Sequence, residues 1–255
     1  MGYLCAAHMA LAECRQALAL GLDVSGSVDA REYRLQLDGL AAALQAKETS
    51  AALLAFPGQP VAIAVYEWSG FAYQRVIINW TKIQSERDIS TMAARLRASP
   101  RVTAPAETAL GSALLFGAEF MRQSPNCVAW TLDISGDGKN NAGPRPQADT
   151  TRAQMGGITV NGLVIGSDMA AAQDIRQVDV GELGQYFRAN VLNGPQAFVQ
   201  VAIGFEDYEN AMKRKLLREI QGVAIGDSRL GKRALAFNGG LPRPAEQLRF
   251  AGPNE

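Results

Sequence analysis

The chain has 255 residues, 47% hydrophobic and 20% charged, which is enough apolar material for one large core and too much for a disordered chain. Lys plus Arg and Asp plus Glu number 25 each, so no net field draws the chain to nucleic acid or an anionic membrane, and neither is expected as a partner. The single histidine, His8, lies near the N-terminus outside any pattern, which excludes Ser-His-Asp and Cys-His nucleophiles and His-bearing zinc sites.

Residues 1–14 read as the remnant of a secretion signal. The apolar stretch from Tyr3 ends in Ala10-Leu11-Ala12, which matches a small-residue processing site, although no Lys or Arg precedes Arg15. It is too short to span a bilayer, and no transmembrane segment is predicted. A periplasmic or secreted protein is the expectation; a cytoplasmic protein with a frayed N-terminus is the alternative. Removal after Ala12 discards Cys5 and leaves Cys14 and Cys127 as an even pair.

The first strand runs from Cys14 through the apolar run Ala17 to Leu22 and ends at Asp23. A helix follows from Asp29 to Lys47, with Asp29 as its cap. After a turn at Pro57 to Pro60, Val61 to Tyr66 reads as a buried strand and Gln74 to Trp80 as the next. The short link through Gly70 makes these two an antiparallel hairpin at a sheet edge. Helices are predicted over Glu86 to Ala98 and Thr108 to Gln123, ended by Pro100 and Pro125. Cys127 to Ile134 is a strand, Gly136 to Asn141 a loop, Gln147 to Met155 a helix and Ile158 to Ile165 the fifth strand. Glu182 to Asn190 is a short helix, Phe198 to Ile203 the sixth strand and Glu206 to Gln221 the closing helix. Lys213, Arg214, Lys215 and Arg218 read as a solvated helix end whose cations complement the dipole.

Strands alternating with amphipathic helices define an α/β, doubly wound, Rossmann-like three-layer fold, with a mostly parallel six-stranded sheet and one antiparallel edge strand. Residues 15–222 form the domain, and the Gly/Pro-rich residues 223–255 read as a partly ordered tail. If the strands from Cys14 and Cys127 are parallel neighbours, the two thiols meet at one end of the sheet, where a disulfide can close. Two buried free thiols are the alternative.

Ligands of such sheets bind beyond the carboxyl ends of the strands, where strand order reverses. Three loops there carry short oxygen side chains: Asp23, Ser25 and Ser27 after the first strand, Thr108 before a helix, and Asp137 after the strand from Cys127. Hard oxygen donors of this kind suit Mg2+. Taken singly, each is also an ordinary cap or turn residue.

As an ordered set, Asp23-Val24-Ser25-Gly26-Ser27, Thr108 and Ser135-Gly136-Asp137-Gly138 resemble the metal ion-dependent adhesion site of the von Willebrand factor type A domain. The wording from Asp133 to Asn141 is most similar to a bacterial subgroup of such domains whose role is not established. The resemblance implies that Ser25, Ser27 and Thr108 ligate Mg2+, with Mn2+ or Ca2+ as substitutes, while Asp23 and Asp137 hold it, often through water. It also implies a protein partner whose Asp or Glu completes the shell, without catalysis. Arg101, Arg145, Lys139 and Glu107 would then tune which partner fits. The family carries Gly-Gly before the threonine, whereas Ala106-Glu107 precede Thr108 here, so Glu107 is expected to bring a third carboxylate near the ion. Asp133 reads as a residue that orders neighbouring backbone.

A Mg2+-dependent hydrolase or phosphoryl-transfer enzyme built on the same Asp and Ser residues is the alternative. No general base stands out for it, and neither Gly-x-Ser-x-Gly nor a Gly-x-x-x-x-Gly-Lys-Ser/Thr loop occurs. A third reading has Glu246 or Glu255 of the tail reaching the metal.

Overall fold

The computed structural model describes residues 12–166 and 173–230, without the side chains of 173–179 and 223–230. His8, Cys5, the processing segment and the tail carboxylates Glu246 and Glu255 lie outside the described residues. The strands are β1 Cys14–Asp23, β2 Val61–Trp68, β3 Gln74–Ile83, β4 Cys127–Gly136, β5 Ile158–Ile165 and β6 Val199–Ala202. The helices are α1 Ala30–Gln45, α2 Lys47–Leu54, α3 Glu86–Ala98, α4 Leu110–Arg122, α5 Asp149–Gln154, α6 Gln173–Asn190 and α7 Tyr208–Leu230.

One six-stranded sheet runs β3-β2-β1-β4-β5-β6, and all its pairings are parallel except β2 with the edge strand β3. Every residue of β1 and β2 is buried, as strands covered on both faces require. The two-residue period divides them. Leu18, Leu20, Leu22, Ile63 and Val65 pack with Leu37 and Leu40 of α1, Met92 and Leu96 of α3 and Leu216 of α7. Ala17, Ala19, Ala62 and Ala64 face α4 and α6 with Leu132 and Ile134 of β4. These small residues let α4 lie close to the sheet: a Cβ on Gly21 would stand 2.7 Å from the Tyr66 ring, and one on Gly117 2.7 Å from the Leu132 methyls.

The expected fold class holds, and four local expectations change. The residues after Gln45 form a separate helix, α2, because the backbone turns out of helical geometry at Ala46 (φ −57°, ψ 136°) and re-enters at once. Thr108 lies before α4 rather than in it. α6 starts at Gln173, well before Glu182, and α7 continues past Gly222 to Leu230, into what the sequence marks as tail.

The basic cluster on α7 is a further correction. Lys213 pairs with Glu48 at 2.8 Å and Arg214 with Asp207 at 3.5 Å on the surface, but Lys215 is 0% exposed. Its Nζ lies 2.7 Å from Asp133 Oδ2 and 2.5 Å from Glu219 Oε1. Leu132 and Ile134 of β4 face α4 and α6, so the intervening Asp133 points the other way, into the α7 layer, and meets Lys215 instead of ordering backbone.

Cys14 and Cys127 are direct register partners on β1 and β4, with Cα atoms 4.5 Å apart, and they form a disulfide. It closes a 113-residue separation and so restricts the unfolded chain strongly. Replacing both with serine is expected to lower stability by about 2–5 kcal/mol in urea denaturation under non-reducing conditions. Two titratable thiols in the denatured, unreduced wild type, with an unchanged midpoint in the double variant, would contradict the bridge.

Candidate metal centre

Strand order reverses between β1 and β4, since β1 pairs with β2 on one side and β4 on the other. The crevice beyond their carboxyl ends is therefore flanked by the residues following Asp23 and those following Gly136. Asp23 ends β1 and is 0% exposed. Its backbone is fixed from two sides: Gln36 Nε2 of α1 donates to the Asp23 carbonyl at 3.0 Å, and the Val24 amide donates to the Trp68 carbonyl at 2.9 Å. The chain then turns, and the Ser25 amide donates to Asp23 Oδ1 at 2.8 Å.

The other oxygens gather on that turn. Ser25 Oγ lies 3.4 Å from Ser27 Oγ, Thr108 Oγ1 lies 3.4 Å from Ser25 Oγ, and the Ser27 hydroxyl donates to Asp137 Oδ1 at 2.8 Å. The structure thus brings together all five residues singled out from the sequence. Ser25 and Thr108 are buried and Ser27 is exposed, so the cluster rises from a closed floor at Asp23 to an open mouth.

None of the three hydroxyls caps a helix. Asp29 caps α1 in a reciprocal box with Glu32, and α4 starts from Ala109 without a side-chain cap. The purely structural reading of Ser27 and Thr108 as caps therefore does not account for them.

The threonine loop is held by residues that the sequence reading did not assign. The Gly26 amide donates to the Ala106 carbonyl at 3.1 Å, and the Ala109 amide donates to the Ser69 carbonyl at 2.8 Å. Asn141 clamps Thr108 from both sides: its Oδ1 accepts from the Thr108 amide at 2.8 Å, and its own amide donates to the Thr108 carbonyl at 2.9 Å. Asn140 Oδ1 accepts from the Gly111 amide at 3.2 Å. The pair Asn140-Asn141 was visible as a motif, but its partners, Gly111 in the first turn of α4 and Thr108 before it, lie 29 and 33 positions earlier, and only topology joins them.

Glu107 does not become a third acid. Among the described residues, no three His, Cys, Asp or Glu side chains form a metal-holding group. Glu107 is exposed and leans toward Gly70, where an added Cβ would lie 3.1 Å from its Oε2. Arg101 is tied to the Val28 carbonyl, and Lys139 pairs loosely with Glu182 at 3.6 Å. Beside Asp137 and Lys139, an open cleft of about 270 Å³ reaches Ile165, Val180 and Leu183. Phe71, 65% exposed, stands in the link between β2 and β3.

The electrostatics converge on one atom. Asp23 Oδ2 is buried and has no hydrogen-bond partner. A Cβ on Gly136 would come within 3.1 Å of it, so the glycine keeps carbon away from this oxygen. Burial first, and then the charge of Asp137, push the Asp23 carboxyl up to about 8, outweighing the opposing effect of the Ser25 hydroxyl. Burial also raises Asp137. Two interacting carboxyls that both resist ionisation, with one oxygen unsatisfied and three neutral hydroxyl oxygens beside them, are chemically suited to a hard divalent cation.

This sheet order, with its single antiparallel edge strand and the site at the switch point, is that of the von Willebrand factor type A fold. Proximal thread matrix protein 1 of the mussel byssus matches with a TM-score of 0.54 at 16% identity, over 82% of this chain and 49% of that one. A second structure of that protein, with a zinc occupied MIDAS motif, matches at 0.53 and 16% over 82% and 48%. The domain from Catenulispora acidiphila matches at 0.50 and 14% over 81% and 43%, and the Lactobacillus rhamnosus GG pilus adhesin SpaC at 0.50 and 13% over 82% and 30%. This chain spans less than half the length of each of these solved chains. It belongs to the family described as "Protein of unknown function (DUF1194)", whose profile matches residues 13–224. A search of curated proteins returned no match.

The raised Asp23 carboxyl has a measurable consequence without any metal. A carboxyl raised in the folded state binds more protons there than in the unfolded chain, so its contribution is complete below the unfolded value of 3.8 and is lost as pH rises through about 8. In EDTA, wild-type stability should fall from about pH 5 to about pH 8.5 relative to Asp23→Asn in parallel urea titrations. Superimposable pH profiles would contradict the assignment.

Proposed function

We propose that this chain is a protein-binding module that depends on a divalent cation held by Asp23, Ser25, Ser27, Thr108 and Asp137. The observation that carries the reading is the buried, unpartnered Oδ2 of Asp23 beneath three clustered hydroxyls and a second carboxylate. Mg2+ is the favoured ion because all five side chains offer hard oxygen and none offers nitrogen or sulfur; Mn2+ and Ca2+ suit the same donors. The zinc in the mussel protein's MIDAS motif supports a divalent cation without selecting among metals.

Asp23 and Asp137 nominally balance the double charge, while Ser25, Ser27 and Thr108 contribute neutral oxygens. Bound there, the cation would supply an electrophilic position for one more oxygen donor. We assign that donor to an Asp or Glu side chain on a partner protein. The chain's own part is to present the site rigidly: Gln36 and Trp68 hold the floor, and Asn141 holds the threonine loop. Asp23 would hold the cation as its carboxylate, so cation binding would compete with the proton that burial favours.

A binding role is favoured over metal-assisted hydrolysis because the two carboxylates are occupied as floor and wall. Asp137 already accepts from Ser27, and Asp133 faces the α7 layer, away from the cluster. A periplasmic or exterior location fits the disulfide, which persists in oxidising compartments.

Calorimetric titration should show Mg2+ or Mn2+ binding that strengthens up to about tenfold per pH unit until Asp23 is ionised near pH 8, and that disappears in a folded Asp23→Ala chain. Unchanged affinity in that variant would remove the site. For the partner, capture from native envelope should require Mg2+, fail in EDTA and fail with Asp23→Ala. Capture indifferent to both controls would overturn metal-dependent binding.

A further inference from the structure

The buried cluster between β4 and α7 takes no part in the cation site. Lys215, Asp133 and Glu219 are 0%, 1% and 5% exposed, and the Phe198 ring centroid lies 5.2 Å from the amine. Asn161 Nδ2 donates to Glu219 Oε1 at 2.7 Å. Lys215 Nζ donates to the same Oε1 at 2.5 Å. Nζ also stands 2.7 Å from Asp133 Oδ2, so the amine is held between the two carboxyl groups.

One cation between two acids also leaves an uncompensated negative charge in a dry interior, so one acid retains a proton. Glu219 Oε1 already accepts two N–H donors, whereas burial pushes Asp133 up to about 7 with Lys215 opposing and Glu219 reinforcing, so the proton falls to Asp133. A neutral carboxylic acid, an amine in contact with it and a carboxylate able to take the amine's proton are the three components of amide formation.

We propose that Lys215 and Asp133 condense to an intramolecular isopeptide bond that joins α7 covalently to β4, with Glu219 as the proton carrier. Glu219 takes a proton from the Lys215 ammonium, and the freed nitrogen attacks Asp133 Cγ. The N–C bond forms, the C–OH bond breaks, and the hydroxyl leaves as water after receiving a second proton from the nitrogen by way of Glu219. Ammonium, carboxylic acid and carboxylate become amide, water and protonated Glu219; nothing is oxidised or reduced. The product replaces an unbalanced buried charge cluster with neutral groups and ties α7 to the strand that leads into Asp137.

Mass spectrometry of the reduced, trypsin-digested chain tests this directly. The bond predicts a branched peptide in which residues 123–139 are joined to residues 215–218, uncleaved after Lys215, at the sum of the two masses less one water. Glu219→Gln, checked for folding by circular dichroism, is expected to yield the unlinked peptides. Wild-type chain that gives only separate peptides after prolonged incubation at neutral pH overturns the proposal. A Glu219→Gln chain that still forms the branched peptide overturns the role given to Glu219.

Discussion

The functional end of this molecule depends on a carboxylate kept dry. Asp23 sits where β1 leaves the sheet, at the one place where strand order reverses, with one oxygen bonded to the Ser25 amide and the other unbonded. Leaving a buried carboxylate oxygen unpaired costs stability, and protonation relieves that cost only in part. The surroundings nonetheless preserve the arrangement. Gln36 and Trp68 anchor the backbone on either side, and Gly136 keeps carbon from filling the space beside the free oxygen. The fold thus sustains a locally unfavourable group at a position open to solvent through Ser27 and Asp137, a pattern characteristic of binding sites.

The rest of the site follows from how three separate loops are tied to that floor. Ser25 and Ser27 come with the turn after β1. Thr108 arrives from the connection between α3 and α4, and it is fixed by Asn141 from the loop after β4. That loop also carries Asp137, so the threonine and the second carboxylate are not independent: both are positioned by the exit of β4. On the other side of the same strand, Asp133 meets Lys215 of α7. β4 therefore links the oxygen cluster at its end with the buried charges of the helical layer behind it.

Much of this was legible in the chain itself. Apolar runs marked β1 and β2, since strands buried on both faces need no alternation, and the short Gly70 link marked the antiparallel edge. Asp29 signalled the start of α1 through local chemistry, and Glu32 completes the capping box in the structure. The five oxygen residues were recognisable as an ordered set because they match the pattern of the resemblance, on loops that the strand pattern placed at one end of the sheet. What was hidden depends on distant partners. Lys215 looked like one more cation on a basic helix end, because its carboxylate neighbour on β4 lies 82 positions earlier in sequence. Asn141 and Gln36 carry no local mark of what they clamp. Glu107 looked like a competitor for the ion, but whether a loop side chain turns inward is decided by the packing around Gly70 and Pro105. The break at Ala46 has neither Gly nor Pro to announce it.

The central claim is that the unpartnered oxygen of Asp23 and the hydroxyls above it form the seat of a divalent cation. Anomalous diffraction from crystals soaked in Mn2+ tests it most directly, because the signal identifies the metal and locates it at once. A single anomalous peak within coordination distance of the Ser25, Ser27 and Thr108 hydroxyls, beside Asp23 and Asp137, is the result this account predicts. A saturating soak that leaves this cluster without a peak, or places the ion elsewhere on the chain, would contradict it.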